Sequence, residues 1–137
     1  MELFELEEVA RKEKIDLANF KMKKSKARIV KHNNSCCIFM NYSNIYTYTE
    51  EKCLLAEELG HYYYDAYYSI SSPVTEIGRQ EYKALKWKSL VCIPLNSIIN
   101  CFKRGICNLT EIAEELQVEP VMVEFAYNYY KENNIIK

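Results

Sequence analysis

An α+β domain, mostly helical with one small antiparallel sheet, is what the chain encodes. Three observations predict it: 137 residues with 49% hydrophobic and 27% charged side chains suit one compact domain. One short pair of β-rich runs is interrupted by turn formers. Apolar residues recur at helical spacing through most of the remainder.

Taken in order, Glu2 to Lys14 places Leu3, Phe4, Leu6, Val9 and Ala10 at roughly helical intervals in a charged segment, which predicts an amphipathic helix. The basic stretch Lys21 to Lys26 reads as a solvated loop. Ala27 to Val30 and Cys36 to Met40 are rich in Ile, Val, Phe and Cys, and His32-Asn33-Asn34-Ser35 between them is a cluster of turn formers, so the pair forms a β-hairpin. Thr47 with Glu50 three residues on matches a capping box, and Glu50 and Glu51 put negative charge at the positive end of a helix beginning near Tyr48. Leu55, Leu59 and Tyr62 form its inward stripe, which runs toward a loop at Ser69 to Pro73. Glu76 to Cys92 is the next helix, stopped before Pro94.

Three shorter helical patterns follow, Leu95 to Arg104, Leu109 to Leu116 and Pro120 to Glu132, separated by Gly105 and by the Gln117 to Glu119 turn. The chain thus divides into a core at residues 1–94 and a C-terminal helical segment at 95–137 packed on it. The last two patterns have the rhythm of a helix-turn-helix. Almost no Lys or Arg is available there for phosphate contacts, which favours packing or partner binding.

Composition narrows the function. With 18 basic against 19 acidic residues and a net charge of -1, the electrostatic attraction that dominates nucleic-acid binding is missing, so no direct nucleic-acid partner is expected. The start, Met1-Glu2-Leu3-Phe4-Glu5, lacks the basic and apolar regions of an export signal, and no run of about 18 apolar residues occurs. The expectation is a cytoplasmic protein away from membranes, with its six cysteines kept as thiols.

The chemistry lies in Glu57-Glu58-Leu59-Gly60-His61. Residues four apart on a helix share a face, so Glu57 and His61 direct donor atoms at one divalent metal ion. Glu58, on the neighbouring face, stands where a carboxylate acts as general base on water without itself being a ligand. The pattern is His-Glu-x-x-His with the first histidine replaced by Glu57. A catalytic ion needs a third protein ligand. Only two histidines are present, and the other, His32, falls in the hairpin turn. Cys53 shares the helix face but is two turns from His61, which suits a small buried hydrophobe better than a ligand. Glu81 shares a stripe with Ile77, Ala84, Leu85, Lys88 and Val91, and an acid on such a face needs a cation. That cation is either the metal or one of Arg79, Lys83 and Lys86.

Leu55-Ala56-Glu57-Glu58-Leu59-Gly60-His61, followed by Glu81-x-x-Ala84-x-x-Trp87-x-x-x-x-Cys92-Ile93-Pro94, resembles the ImmA/IrrE family of metallopeptidases. Members typically carry Ala-His-Glu-Leu-Gly-His and then Glu-x-x-Ala-Asn-x-Phe-Ala-x-x-Leu-Leu-x-Pro. The order of hairpin and later helices also follows the family. The resemblance implies a zincin-like fold, metal ligands at Glu57, His61 and Glu81, and the general base at Glu58. Zinc is the expected ion, with manganese or iron as alternatives; no other cofactor is implied. It further implies a prophage or integrative-element endopeptidase acting on a helix-turn-helix repressor. The departures are Glu57 for His, Leu85 for Asn and Lys88 for Ala, of which only Glu57 is expected to touch the chemistry. That substitution motivates an alternative: a catalytically silent module of the same fold that binds a repressor.

Overall fold

The computed structural model describes residues 1–64 and 74–133, apart from the side chains of 74–77 and 80. In chain order these form α1 (Leu3–Lys12), β1 (Ile15–Asn19), β2 (Ala27–His32), β3 (Ser35–Met40), a 3₁₀ turn (Tyr42–Asn44), α2 (Tyr48–Tyr63), α3 (Val74–Cys92), α4 (Leu95–Lys103), α5 (Leu109–Leu116) and α6 (Pro120–Glu132). The class is α+β. The loop expected at Ser69 to Pro73 and the side chain of Ile77 lie outside the described residues.

Helix α1 opens on a reciprocal capping box between Glu2 and Glu5, and the chain turns after it with Lys14 at φ 60°. Leu6 and Ala10, one turn apart, are buried, whereas Phe4, counted on the apolar face from its spacing, is 70% exposed. The hairpin is antiparallel, with the core residues Ile29 and Ile38 directly opposed and Asn33 at φ 55° in its two-residue turn, a conformation asparagine tolerates.

The sheet is larger than the expected hairpin. Strand β1 adds to it parallel to β3, giving a mixed sheet in the order β1-β3-β2. Ile15–Asn19 carries an aspartate and an asparagine in five residues, a weak strand signal; its place is set by α1 returning the chain to the edge of β3.

Thr47 caps α2 by accepting the Glu50 N–H at 3.1 Å, but the second half of the expected box is altered. The Glu50 carboxylate accepts the Tyr46 N–H at 3.2 Å and pairs with Lys26 at 2.6 Å. Cys53, Leu55, Ala56, Leu59 and Gly60 of α2 are buried. They join one core with the sheet, α1 and the inner faces of α4, α5 and α6, where Ile98, Ile112, Met122, Val123 and Ala126 contribute. Asn108 caps α5 through the Glu111 N–H at 2.8 Å, Gln117 at φ 55° ends it, and Pro120 occupies the first turn of α6. Buried Lys52 reaches from α2 to the Leu116 carbonyl at 2.9 Å, supplying a cation at the negative end of α5.

Buried Tyr130 donates to the Ile93 carbonyl at 2.7 Å, tying α6 to the end of α3. Tyr130→Phe leaves that carbonyl without its donor and is expected to cost about 1–2 kcal/mol in urea unfolding. An unchanged midpoint would show the bond contributes nothing.

All six cysteines are free thiols. No helix among the described residues is long and apolar enough to cross a membrane.

Candidate metal centre

Helix periodicity brings Glu57 and His61 to one side of α2, and packing brings α3 to meet them. The contact is unusually close at one point. A Cβ added to Gly60 would lie 3.0 Å from the Ala84 carbonyl oxygen and 3.1 Å from its Cα, so any other residue would crowd the backbone of α3 at this approach. The neighbour that Gly60 meets is the backbone of α3. Ala84 itself is fully buried, and Glu81, one turn before it, faces back to α2.

Glu57, His61 and Glu81 thereby offer three donor atoms within 4.8 Å of one another. His61 Nε2 is 3.6 Å from Glu81 Oε1. Ligand atoms around a tetrahedral ion at about 2.1 Å stand roughly 3.4 Å apart, so the triad needs only a modest contraction to hold one. His61 is buried, while the Glu57 and Glu81 side chains keep 30% and 39% of their surface, so the donor group borders solvent. The residues present fit a divalent ion. His32 is exposed at the end of β2 and Cys53 is buried, its thiol 3.6 Å from Met122 Sδ; neither belongs to the donor group. Burial, with Glu119 next in effect, pushes the Cys53 thiol up to about 11, which keeps it protonated.

Glu58 is anchored to the sheet by one of its carboxylate oxygens. Its Oε2 accepts the backbone N–H of Ile29 in β2 at 3.0 Å. Burial raises its carboxyl to about 7, opposed by the Ile29 N–H and reinforced by the charges of Glu57 and Glu81. A carboxylate that titrates near neutrality is suited to exchange protons with water. The Ile29 contact has no signal in the sequence, because it depends on the seating of α2 against β2.

Lys88 was placed by its spacing on the apolar stripe and treated as a departure outside the chemistry. The structure sets it against Glu57. Buried Lys88 lies 3.9 Å from Glu57 and 3.2 Å from Glu119. Burial lowers its pKa, but the Glu57 and Glu119 charges outweigh that and the net shift is upward, so it carries its charge. Beside it, a cleft of about 370 Å³ extends from Glu57 past Cys53 to Glu119 at the start of α6. Of the tyrosines after His61, Tyr62 and Tyr63 donate to Glu13 at 3.0 and 3.2 Å, and Tyr63 stacks on Trp87 with ring centroids 5.1 Å apart.

No family model matches the chain, and neither a curated protein nor a solved structure matches it.

Proposed function

We propose that the protein is a metal-dependent endopeptidase of zincin-like construction, with Glu57, His61 and Glu81 as ligands and Glu58 as general base. The observation that carries the reading is the meeting of three donors from two helices within 4.8 Å, beside a carboxyl held near neutrality. Two carboxylates and one imidazole suit zinc, and also the harder manganese and iron.

An ion held by Glu57, His61 and Glu81 would supply Lewis acidity toward a peptide carbonyl and a water molecule. Glu58 receives the water's proton and returns it to the departing amine. Its bond from Ile29 holds one carboxylate oxygen against β2 and leaves the other for that exchange. The likeness of the two linked motifs to ImmA/IrrE peptidases extends the proposal to a helix-turn-helix repressor of a mobile element as substrate. On this reading the protein works in the cytoplasm, where its thiols stay reduced.

A second reading is favoured by one observation: Glu57 already has a cation, Lys88, at 3.9 Å. A repressor-binding module without catalysis would retain such a pair. Metal analysis separates the two. The peptidase reading expects about one zinc, manganese or iron ion per chain and at least a hundredfold weaker binding in His61→Ala. Absence of stoichiometric metal after supplementation, or equal binding by the variant, would sink it.

A further inference from the structure

The cation that faces the triad on the cleft side belongs to the chain itself. Glu81, Ala84 and Lys88 recur at three- and four-residue intervals on α3, so the face that brings Glu81 to His61 also carries Lys88 to Glu57. Its side chain is only 8% exposed, which denies the ammonium the hydration it would have at a surface. It must therefore remain with its carboxylates, Glu119 at 3.2 Å and Glu57 at 3.9 Å.

An ion bound about 2.1 Å from Glu57 Oε1, the oxygen 3.9 Å from Lys88, would stand within roughly 6 Å of the Lys88 nitrogen. That is well inside the screening length of physiological salt, about 8 Å, and the path between them is partly buried. Two cations then bid for the electron density of one carboxylate. Glu119 decides how much of Lys88 is left over for Glu57, because it is the nearer partner and belongs to a different element, as the N-cap of α6.

We propose that Lys88 is a built-in competitor for Glu57 that weakens capture of a divalent ion, and that Glu119 relieves this competition by drawing the ammonium away. The proposal rests on the metal-binding reading above. It makes the affinity of the site depend on a contact between α3 and the N-terminal end of α6, outside the ligand set.

Equilibrium titration of the purified full chain with zinc and with manganese, against a chromophoric chelator at fixed pH and salt, tests it. Lys88→Met, which keeps the length and removes the charge, is expected to bind at least tenfold more tightly than the wild type. Lys88→Arg should remain within about threefold. Glu119→Gln leaves Lys88 with Glu57 alone and should bind more weakly; this exposed site also provides the test if Lys88→Met does not fold. Unchanged or weaker binding in folded Lys88→Met, or tighter binding in Glu119→Gln, would overturn the proposal. His61→Ala separates the two ideas: if it binds as the wild type does, the ligand assignment fails, whereas a wild type that depends on His61 but ignores Lys88 removes only this inference.

Discussion

Glu58→Gln is expected to lower peptide hydrolysis by 10²- to 10⁴-fold, the usual contribution of a general base, with metal content unchanged. The same substitution should stabilise the ion-free protein at neutral and alkaline pH. Burial raises the Glu58 carboxyl from 4.5 to about 7, so between those values the folded chain holds a proton that the unfolded chain has released. Protonation therefore favours the fold at low pH, and that advantage is lost as pH rises from about 4.5 to 7. Above 7 the fold carries a charged carboxylate in a site that opposes it. A shift of this size corresponds to about 3 kcal/mol. Glutamine has no charge to bury and keeps an oxygen for the Ile29 N–H. Urea unfolding of both proteins, stripped of metal, at pH 5 and pH 8 should show the variant's advantage growing toward pH 8. An equal difference at both values would show that Glu58 titrates as an ordinary carboxylate.

Gly60→Ala should be destabilising where an ordinary helix would be stabilised. In a helix interior the change normally gains about 1 kcal/mol from propensity. Here the new methyl meets the Ala84 carbonyl oxygen at 3.0 Å and Ala84 Cα at 3.1 Å, and backbone atoms cannot turn aside as a side chain can. Overpacking of this kind costs about 1–3 kcal/mol, so we expect a net loss with α3 displaced from α2. Since Glu81 rides on α3, metal affinity should fall by tenfold or more along with stability. Unfolding midpoints and a metal titration on one preparation check both; a more stable variant with full affinity would show that the helices have room to adjust.

Local patterning carried a large part of the fold. The helix over Tyr48–Tyr63, its Thr47 cap, the Ala27–Met40 hairpin and the C-terminal helices are all signalled by periodicity, turn formers or caps within a few residues of where they act. Strand β1 was not, because its five residues acquire a partner only once β3 is in place. The site divides the same way. The spacing of Glu57 and His61 was sufficient to put them on one face, but Glu81 remained poised between ligand and salt-bridge partner. Lys88, read as a bystander, is an ion-pair partner of Glu57, so two of the three departures from the motif pattern touch each other.

By itself the sequence determined what covalent spacing and the helical repeat can determine: that Glu57 and His61 share a face, that Glu58 sits beside them, and that an α+β chain of this size builds one core. Tertiary structure alone decided that Gly60 lets α3 approach, that Glu81 comes within 3.6 Å of His61, that Ile29 holds Glu58 and that Lys88 faces Glu57. The reason is physical. A helix fixes neighbours one turn apart from its own repeat, whereas contacts between elements depend on how closely two surfaces pack, and here that distance turns on a single missing methyl group.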